Sequence, residues 1–258
     1  MHWYTTDGRA CHTVLAKNGL PRDTTLADAR KLGLLPGVTD IIKGTLAAPE
    51  LERWKILQSI QAALTLPELP GESLDARARR IQADSEAQAK QAAEHGKAVH
   101  DAICKHLHGQ LVPDEMVAYI KELDQLVASR FNGLFQKVCS VWSEKVLVAP
   151  SYAGTADWFI ETDQGFAVVD FKGQDIGPRG AAFRGNYWIQ LAAYADAIGE
   201  SVSLVGVVVF DRKTGRMEFK FRTLREIAPF TRIWRRLVGV WRDLKGYYPG
   251  SKKLEEAA

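Results

Sequence analysis

Hydrophobic positions recur first at helical spacing and then, past about Arg130, crowd into short runs rich in Val, Phe and Trp. The front begins with a small hairpin over residues 1–20, with Asp7-Gly8 as its turn and Cys11 to Leu15 as the return strand. Thr25 caps a short helix that runs through Leu32 and closes at Gly33. A Pro-Gly pair then leads into Val38–Lys43. Pro49 opens a second helix, Glu50 to about Leu64, with Leu51, Trp54, Ile56 and Leu57 as a candidate buried side. After the linker LPELPGES, a strongly helical stretch runs from Ser73 to about His106, interrupted at Gly96, and Pro113 starts another helix to about Arg130.

The second half reads as strands at Lys137–Ala149, Tyr152–Glu161, Phe166–Phe171, Val202–Phe210 and Arg216–Phe221. An amphipathic helix, Tyr187 to Ile198, stands between the third and fourth strands and stops at Gly199. A last helix runs from Thr223 to about Lys245. The order β-β-β-α-β-β-α predicts an α/β core around a mixed sheet, with one parallel crossover through the Tyr187 helix. Residues 1–72 form an N-terminal hairpin-and-helix region and residues 73–258 the core with its C-terminal helix.

Composition narrows the class. The 258 residues have ordinary globular proportions, and no apolar run approaches the roughly 20 residues of a membrane span. The opening residues lack the basic-then-apolar order of a secretory signal, so a cytoplasmic protein of a bacterium or of a phage-infected host is expected. Cys11, Cys104 and Cys139 are scattered, which argues against a disulfide framework, a four-Cys zinc site and an iron–sulfur cluster. Charge is uneven: between Asp211 and Lys253 thirteen basic residues, Lys252 and Lys253 among them, face four acids. With Trp234, Trp241, Tyr247 and Tyr248 interleaved, this segment is either a polyanion-facing surface or a solvated basic helix face.

The chemistry concentrates in YAGTADWFIETDQGFAVVDFKGQ. With the turn at Asp163-Gln164 and Thr162 opposite Gly165, counting outward brings Asp157 opposite Asp170. Opposed residues point to one face about 4.5–5.5 Å apart, and Lys172 shares that face. Two carboxylates held so close repel unless a cation sits between them. Hard oxygen ligands on a partly open site suit Mg²⁺ or Mn²⁺, and a carboxylate pair with a lysine suits metal-assisted phosphodiester hydrolysis. The plainer reading is a solvated hairpin in which Lys172 bridges two aspartates.

Further residues fall into order around this hairpin: His100 in GKAVH, Glu144 on the preceding strand, and Gln190 and Tyr194 in QLAAY at i, i+4 on one helix face. The set GKAVH, Glu144, GTAD, DFK and QLAAY resembles the PD-(D/E)XK nuclease superfamily in its RecB-like, phage-type exonuclease branch. That branch carries GxxxH, a Glu, GxxD, (D/E)xK and QxxxY in this order. The resemblance spans about Glu94 to Gly199, and LLPGVTDII also resembles the front end of phage-type members.

The resemblance implies a restriction-endonuclease-like core and a metal-dependent DNA exonuclease of recombination, repair or end processing. It implies His100, Asp157 and Asp170 as ligands of Mg²⁺ or Mn²⁺, with the Phe171 carbonyl a further candidate, and Lys172 as the catalytic lysine. Gln190 and Tyr194 become the pair that orients that lysine or the DNA strand. Asp170 stands where many relatives carry Glu, and the iron–sulfur cysteines of some relatives are absent. Expected partners are linear DNA ends and a recombination protein such as a single-strand annealing protein. The N-terminal region would wall a substrate channel, and the basic C-terminal helix another side.

Each residue keeps an alternative. His100 is otherwise an ordinary helix histidine, Glu144 an outward strand residue, Gln190 a helix-face residue and Tyr194 core packing. His95, His106 and His108 read as surface residues. Arg179 and Arg184, in the Gly-rich loop GPRGAAFRGN, either grip a DNA phosphate or belong to a plain loop. The tryptophans read as core, with base stacking as an alternative for Trp188. At the level of the whole chain, the alternatives are a catalytically inactive DNA-binding module, an adaptor subunit with a nuclease fold, and an RNA substrate.

Overall fold

Two capping boxes and a set of glycine stops fix the helices, and one hairpin register fixes the sheet. The computed structural model describes residues 1–131, 138–199 and 201–250. In chain order come β1 (Trp3–Tyr4), β2 (Thr13–Leu15), β3 (Pro21–Asp23), α1 (Leu26–Leu32), β4 (Leu35–Pro36), α2 (Val38–Thr45), α3 (Pro49–Thr65), α4 (Leu74–Leu107) and α5 (Val117–Leu126). Then follow β5 (Val138–Ala149), β6 (Tyr152–Thr162), β7 (Gly165–Gln174), α6 (Gly185–Ile198), β8 (Val202–Asp211), β9 (Met217–Thr223) and α7 (Leu224–Lys245).

The last five strands form one mixed sheet in sequence order, with β7 and β8 parallel and joined by α6. This is the α/β core that the pattern predicts, with the single crossover in the predicted place. Alternation along the strands divides the core into two layers. Val168, Val205, Val207 and Val209 pack with α2, α6 and α7, while Val169, Phe171, Val208 and Phe210 pack with α4 and α5. Thr25 and Thr223 each close a capping box, with Asp28 and Glu226 respectively, and Gly33 and Gly246 end those helices in the left-handed region.

Several local expectations are corrected. A turn does form at Asp7-Gly8, with Tyr4 bridging Ala10, but Thr13–Leu15 pairs with Pro21–Asp23 instead of returning along β1. Strand β1 pairs with β4, which sets buried Tyr4 beside Leu35, while Trp3 packs in the main core against Trp241 and Tyr247. Gly96 does not interrupt α4: one interior glycine costs only about 1 kcal/mol against alanine, and good helix formers surround it. On α3, Ile56 and Leu57 are exposed, Trp54 is half-buried, small Ala62 is fully buried, and Ser59 hydrogen-bonds Ser85 of α4. The helix after Pro113 opens as a 3-10 turn at Asp114–Met116 and ends in a π turn at Val127–Phe131.

Trp234 and Trp241 are fully buried and Tyr247 bonds the carbonyls of Ala29 and Leu34, so the aromatics of the basic segment mostly serve the core. Tyr248 is exposed. His95 and His106 are half-buried and bonded to Tyr119 and Asp124, rather than free on the surface, while exposed His108 meets Ser143. Lys137, Lys252 and Lys253 lie outside the described residues.

Candidate active site

Strands β6 and β7 pair in the expected register, with Thr162 opposite Gly165, and their ladder stops at Trp158 and Val169. The next opposed positions are Asp157 and Asp170. Where the ladder stops, the Phe171 N–H donates to the Asp157 carboxylate at 2.7 Å, so a side chain takes over the place of a backbone acceptor. Asp170 is almost wholly buried, and its Oδ2 lies 2.6 Å from the Lys172 ammonium.

Helix α6 supplies the next layer. The Gln190 amide oxygen accepts from Lys172 at 3.0 Å, and its nitrogen donates to Asp170 Oδ1 at 2.8 Å and to the Tyr194 hydroxyl at 2.9 Å. Tyr194 in turn donates to the Thr155 carbonyl at 2.8 Å. One chain of hydrogen bonds therefore ties α6 to β6 and β7 through Asp170 and Lys172. A buried polar network of this kind is stabilising only when its members are satisfied.

His100 reaches the same place from α4, with Nδ1 3.5 Å from Asp157 Oδ2. Glu144 arrives from β5 through a backbone outlier. Its φ of 51° is left-handed for a non-glycine residue, between the paired positions Ser143 and Lys145. Such strain costs on the order of 1–3 kcal/mol and persists where the surroundings impose it. The result is a cluster in which donor atoms of His100, Glu144 and Asp157 all lie within 4.8 Å of one another.

That donor set fits a hard divalent cation. Octahedral bonds of about 2.1 Å place ligand atoms roughly 3–4.2 Å apart, and one imidazole with carboxylates suits Mg²⁺ or Mn²⁺. Asp170 is outside the tight cluster, engaged with Lys172 and Gln190. Its buried Oδ2 is held by the Lys172 ammonium at 2.6 Å.

Electrostatics bind these groups together. Burial disfavours the charged form of His100, but Asp157 and Asp170 outweigh it and hold the imidazole above its ordinary value. Burial pushes Asp157 up, yet His100, Lys172 and the Phe171 N–H more than reverse this. Asp170 is pushed up to about 6, by burial first, against the opposing pull of Lys172 and with a further push from Asp157. Burial and Asp157 raise Glu144, and burial raises Tyr194. Lys172 stays charged because Asp170 and Asp157 overcome its desolvation.

These side chains line an open cleft of about 690 Å³ between α4, α2 and the sheet. The LLPGVTDII segment contributes Val38 and Thr39, and the N-terminal strand contributes Tyr4, whose hydroxyl shares a 3.1 Å hydrogen bond with Thr155. Lys97, one turn before His100, also lines it. Sequence reasoning did not find Tyr4 or Lys97; Tyr4 lies about 150 residues away in the chain, and Lys97 sits inside the GKAVH motif itself.

Arg184 caps α6 and lines a neighbouring cleft, whereas Arg179 is exposed on the Gly177–Gly180 turn and lines neither. Trp188 is fully buried under the Arg222 guanidinium, which rules out its stacking on a base. No residue of α7 lines either cleft.

No protein-family profile and no curated protein matches the chain. Among solved structures, a protein from Eubacterium rectale provisionally named an exonuclease is similar at a TM-score of 0.40 and 10% identity, over 61% of this chain and 69% of its own. The protein SSO0001 is similar at a TM-score of 0.28 and 12% identity, over 74% of this chain and 86% of its own.

Proposed function

We propose that the protein is a divalent-metal-dependent deoxyribonuclease that degrades DNA from its ends. The observation that carries the reading is the convergence of two sets of groups on one cleft: the His100–Glu144–Asp157 donor cluster and the Asp170–Lys172–Gln190–Tyr194 chain. His100, Glu144 and Asp157 would hold the cation, with Asp170 beside them and the Phe171 carbonyl as a further candidate. When bound there, Mg²⁺ or Mn²⁺ supplies charge neutralisation at the phosphate and a bound water of lowered pKa.

The chain's own groups do the rest. Lys172, kept charged by two carboxylates, donates to a phosphate oxygen or to the attacking water and holds it in line. Gln190 fixes the direction of that ammonium, and Tyr194 fixes Gln190. The preference for ends, a place in recombination or repair, and a single-strand annealing protein as partner all follow from the phage-type exonuclease resemblance of the motif set. Among the described residues no helix is long and apolar enough to cross a membrane.

The reading is tested by incubating the protein with end-labelled linear and closed circular DNA in Mg²⁺, Mn²⁺ and EDTA. Metal-dependent loss of the linear form alone supports it. Nicking of circles at an equal rate contradicts the end preference. An absence of metal-stimulated cleavage contradicts the reading altogether, and leaves a DNA-binding module.

A further inference from the structure

A second cleft of about 440 Å³ opens beside the first, and the two meet at Ala93, Gly96 and Gly173, the residue after the catalytic lysine. Its lining differs in kind from the cation-binding side. Trp54 and Tyr187 offer aromatic surface, and Arg184 and Arg212 offer guanidinium groups. We infer that this second cleft is the track for a single DNA strand flanking the scissile phosphate, with Trp54 as a stacking platform for a base and Arg184 as a phosphate contact. The inference rests on the nuclease reading above and adds where the substrate strand lies and which residues hold it.

Trp54 stands apart from other large apolar side chains described on its helix. Large apolar side chains of α3 such as Ile56, Leu57 and Leu64 are exposed, while Trp54 is half-buried against the cleft. The Arg212 guanidinium stands 5.9 Å from its ring, and Asp175 holds Arg212 by a 3.0 Å hydrogen bond. The Arg212 backbone is pinned as well, its N–H to Gln174 and its carbonyl by the Tyr119 hydroxyl. An indole beside a fixed guanidinium is preorganised, so a base stacking there orders few further groups.

Arg184 is half-buried in this cleft and, among the described residues, has no carboxylate partner. A guanidinium left unpaired next to a phosphodiester site is suited to an anionic oxygen. The Tyr187 ring lines this cleft at its active-site end, with Lys172 Nζ 5.5 Å from its centre. Along α4, Ala89, Ala92, Ala93 and Gly96 face the cleft at helical spacing and keep its floor low. A side chain at Gly96 would enter open space.

Only part of the charge in the cleft is paired. Asp175 is matched by Arg212 at 3.0 Å and Lys213 at 3.7 Å. Glu50, in the first turn of α3, faces the cleft without an ion-pair partner among the described residues and opposes a polyanion. Its removal should therefore strengthen binding, a sign opposite to that of the other variants.

The test is fluorescence anisotropy of a labelled single-stranded oligothymidylate, in EDTA and over a range of salt, with melting curves for every variant. Trp54→Ala should weaken binding by about 5- to 150-fold, the worth of one stacked base, and Trp54→Phe should keep most of the affinity. Arg184→Ala should weaken binding and lower the salt slope by about 0.7, the loss of one phosphate contact on a single strand. Glu50→Gln, at an exposed position that does not endanger folding, should tighten it. Affinities and salt slopes equal to wild type in Trp54→Ala, Arg184→Ala and Glu50→Gln alike would overturn the track. Cleavage by the same preparations in Mg²⁺ separates the two ideas. If wild type cleaves, Asp157→Ala does not, and the track variants bind like wild type, the track fails and the nuclease stands. If nothing cleaves but binding changes in the predicted directions, the track stands and the nuclease reading fails.

Discussion

Gln190 holds Lys172 in place: the amide oxygen accepts from the ammonium at 3.0 Å, while the other end of the same amide is anchored on Asp170 and Tyr194. A lysine has four rotatable bonds and would otherwise sample many directions. Here its charge is kept by Asp170 and its direction by Gln190. The two requirements of a catalytic ammonium are thus met by different residues.

Gln190→Ala should therefore lower turnover by about 10²-fold, the scale of a misplacement of roughly 1 Å. It should also cost about 1–3 kcal/mol of stability, because buried Asp170 and Lys172 each lose a partner. Tyr194→Phe keeps the ring and should lose less on both counts. Single-turnover rates set beside melting curves distinguish the positioning loss from the folding loss.

The glycine of GTAD has a packing reason. A Cβ on Gly154 would stand 2.7 Å from Tyr194 Cε1 and 3.1 Å from Val38 Cγ2. Gly154→Ala must push the Tyr194 ring, and with it the support of Gln190. We expect a loss of about 1–3 kcal/mol from overpacking, with turnover falling in parallel. Unchanged melting temperature and turnover in this variant would show that Tyr194 is not held as described.

At Gly96 the expectation reverses. The helix runs through this position and an added Cβ meets nothing within 4 Å. Gly96→Ala should raise stability by about 0.5–1 kcal/mol through helix propensity alone. Denaturant unfolding midpoints compared at equal m-value check it; a destabilised variant would contradict the open space found around Gly96.

Cation binding should depend on pH with a definite sign. His100 and Glu144 are held above their ordinary values and Asp170 is pushed up to about 6, so each keeps its proton to higher pH than in the unfolded chain. Protons then compete with the cation. For the metal-free fold, the stabilising charge on His100 is lost as pH rises through its raised value. Stability tied to Asp170 falls as pH rises from the ordinary carboxylate range to about 6. Asp157 is depressed, so its contribution is lost only at lower pH. The rise in melting temperature on adding Mn²⁺ should thus grow between about pH 5 and pH 8, with proton release on binding. A shift independent of pH would contradict this donor set.

Much of the site was legible because the chemistry lies in a hairpin. The period-2 alternation and the Asp163-Gln164 turn fix which side chains face each other, so Asp157, Asp170 and Lys172 follow from counting. Gln190 and Tyr194 share a helix face by their i, i+4 spacing, and their place in the site is what the motif resemblance implies. Trp54 was not legible as a cleft residue, because the sequence groups it with Ile56 and Leu57, which are exposed, and its partner Arg212 is remote in the chain. The pairing of β1 with β4 was equally hidden: two-residue strands leave no periodicity, and only the burial of Trp3 and Tyr4 selects the partner. Glu144 was found by motif order, but its φ of 51°, which turns the carboxylate toward His100 and Asp157, has no signature in sequence.

The most direct measurement is the rate of cleavage of end-labelled linear DNA by wild type, Lys172→Ala and Asp157→Ala, each with Mg²⁺, Mn²⁺ or EDTA and each shown folded by its melting curve. A metal-dependent nuclease predicts cleavage by wild type in Mg²⁺ or Mn²⁺, none in EDTA, and a loss of about 10³-fold or more in both variants. Cleavage that survives EDTA, or full activity in either folded variant, would contradict the assignment of this cleft as the active site.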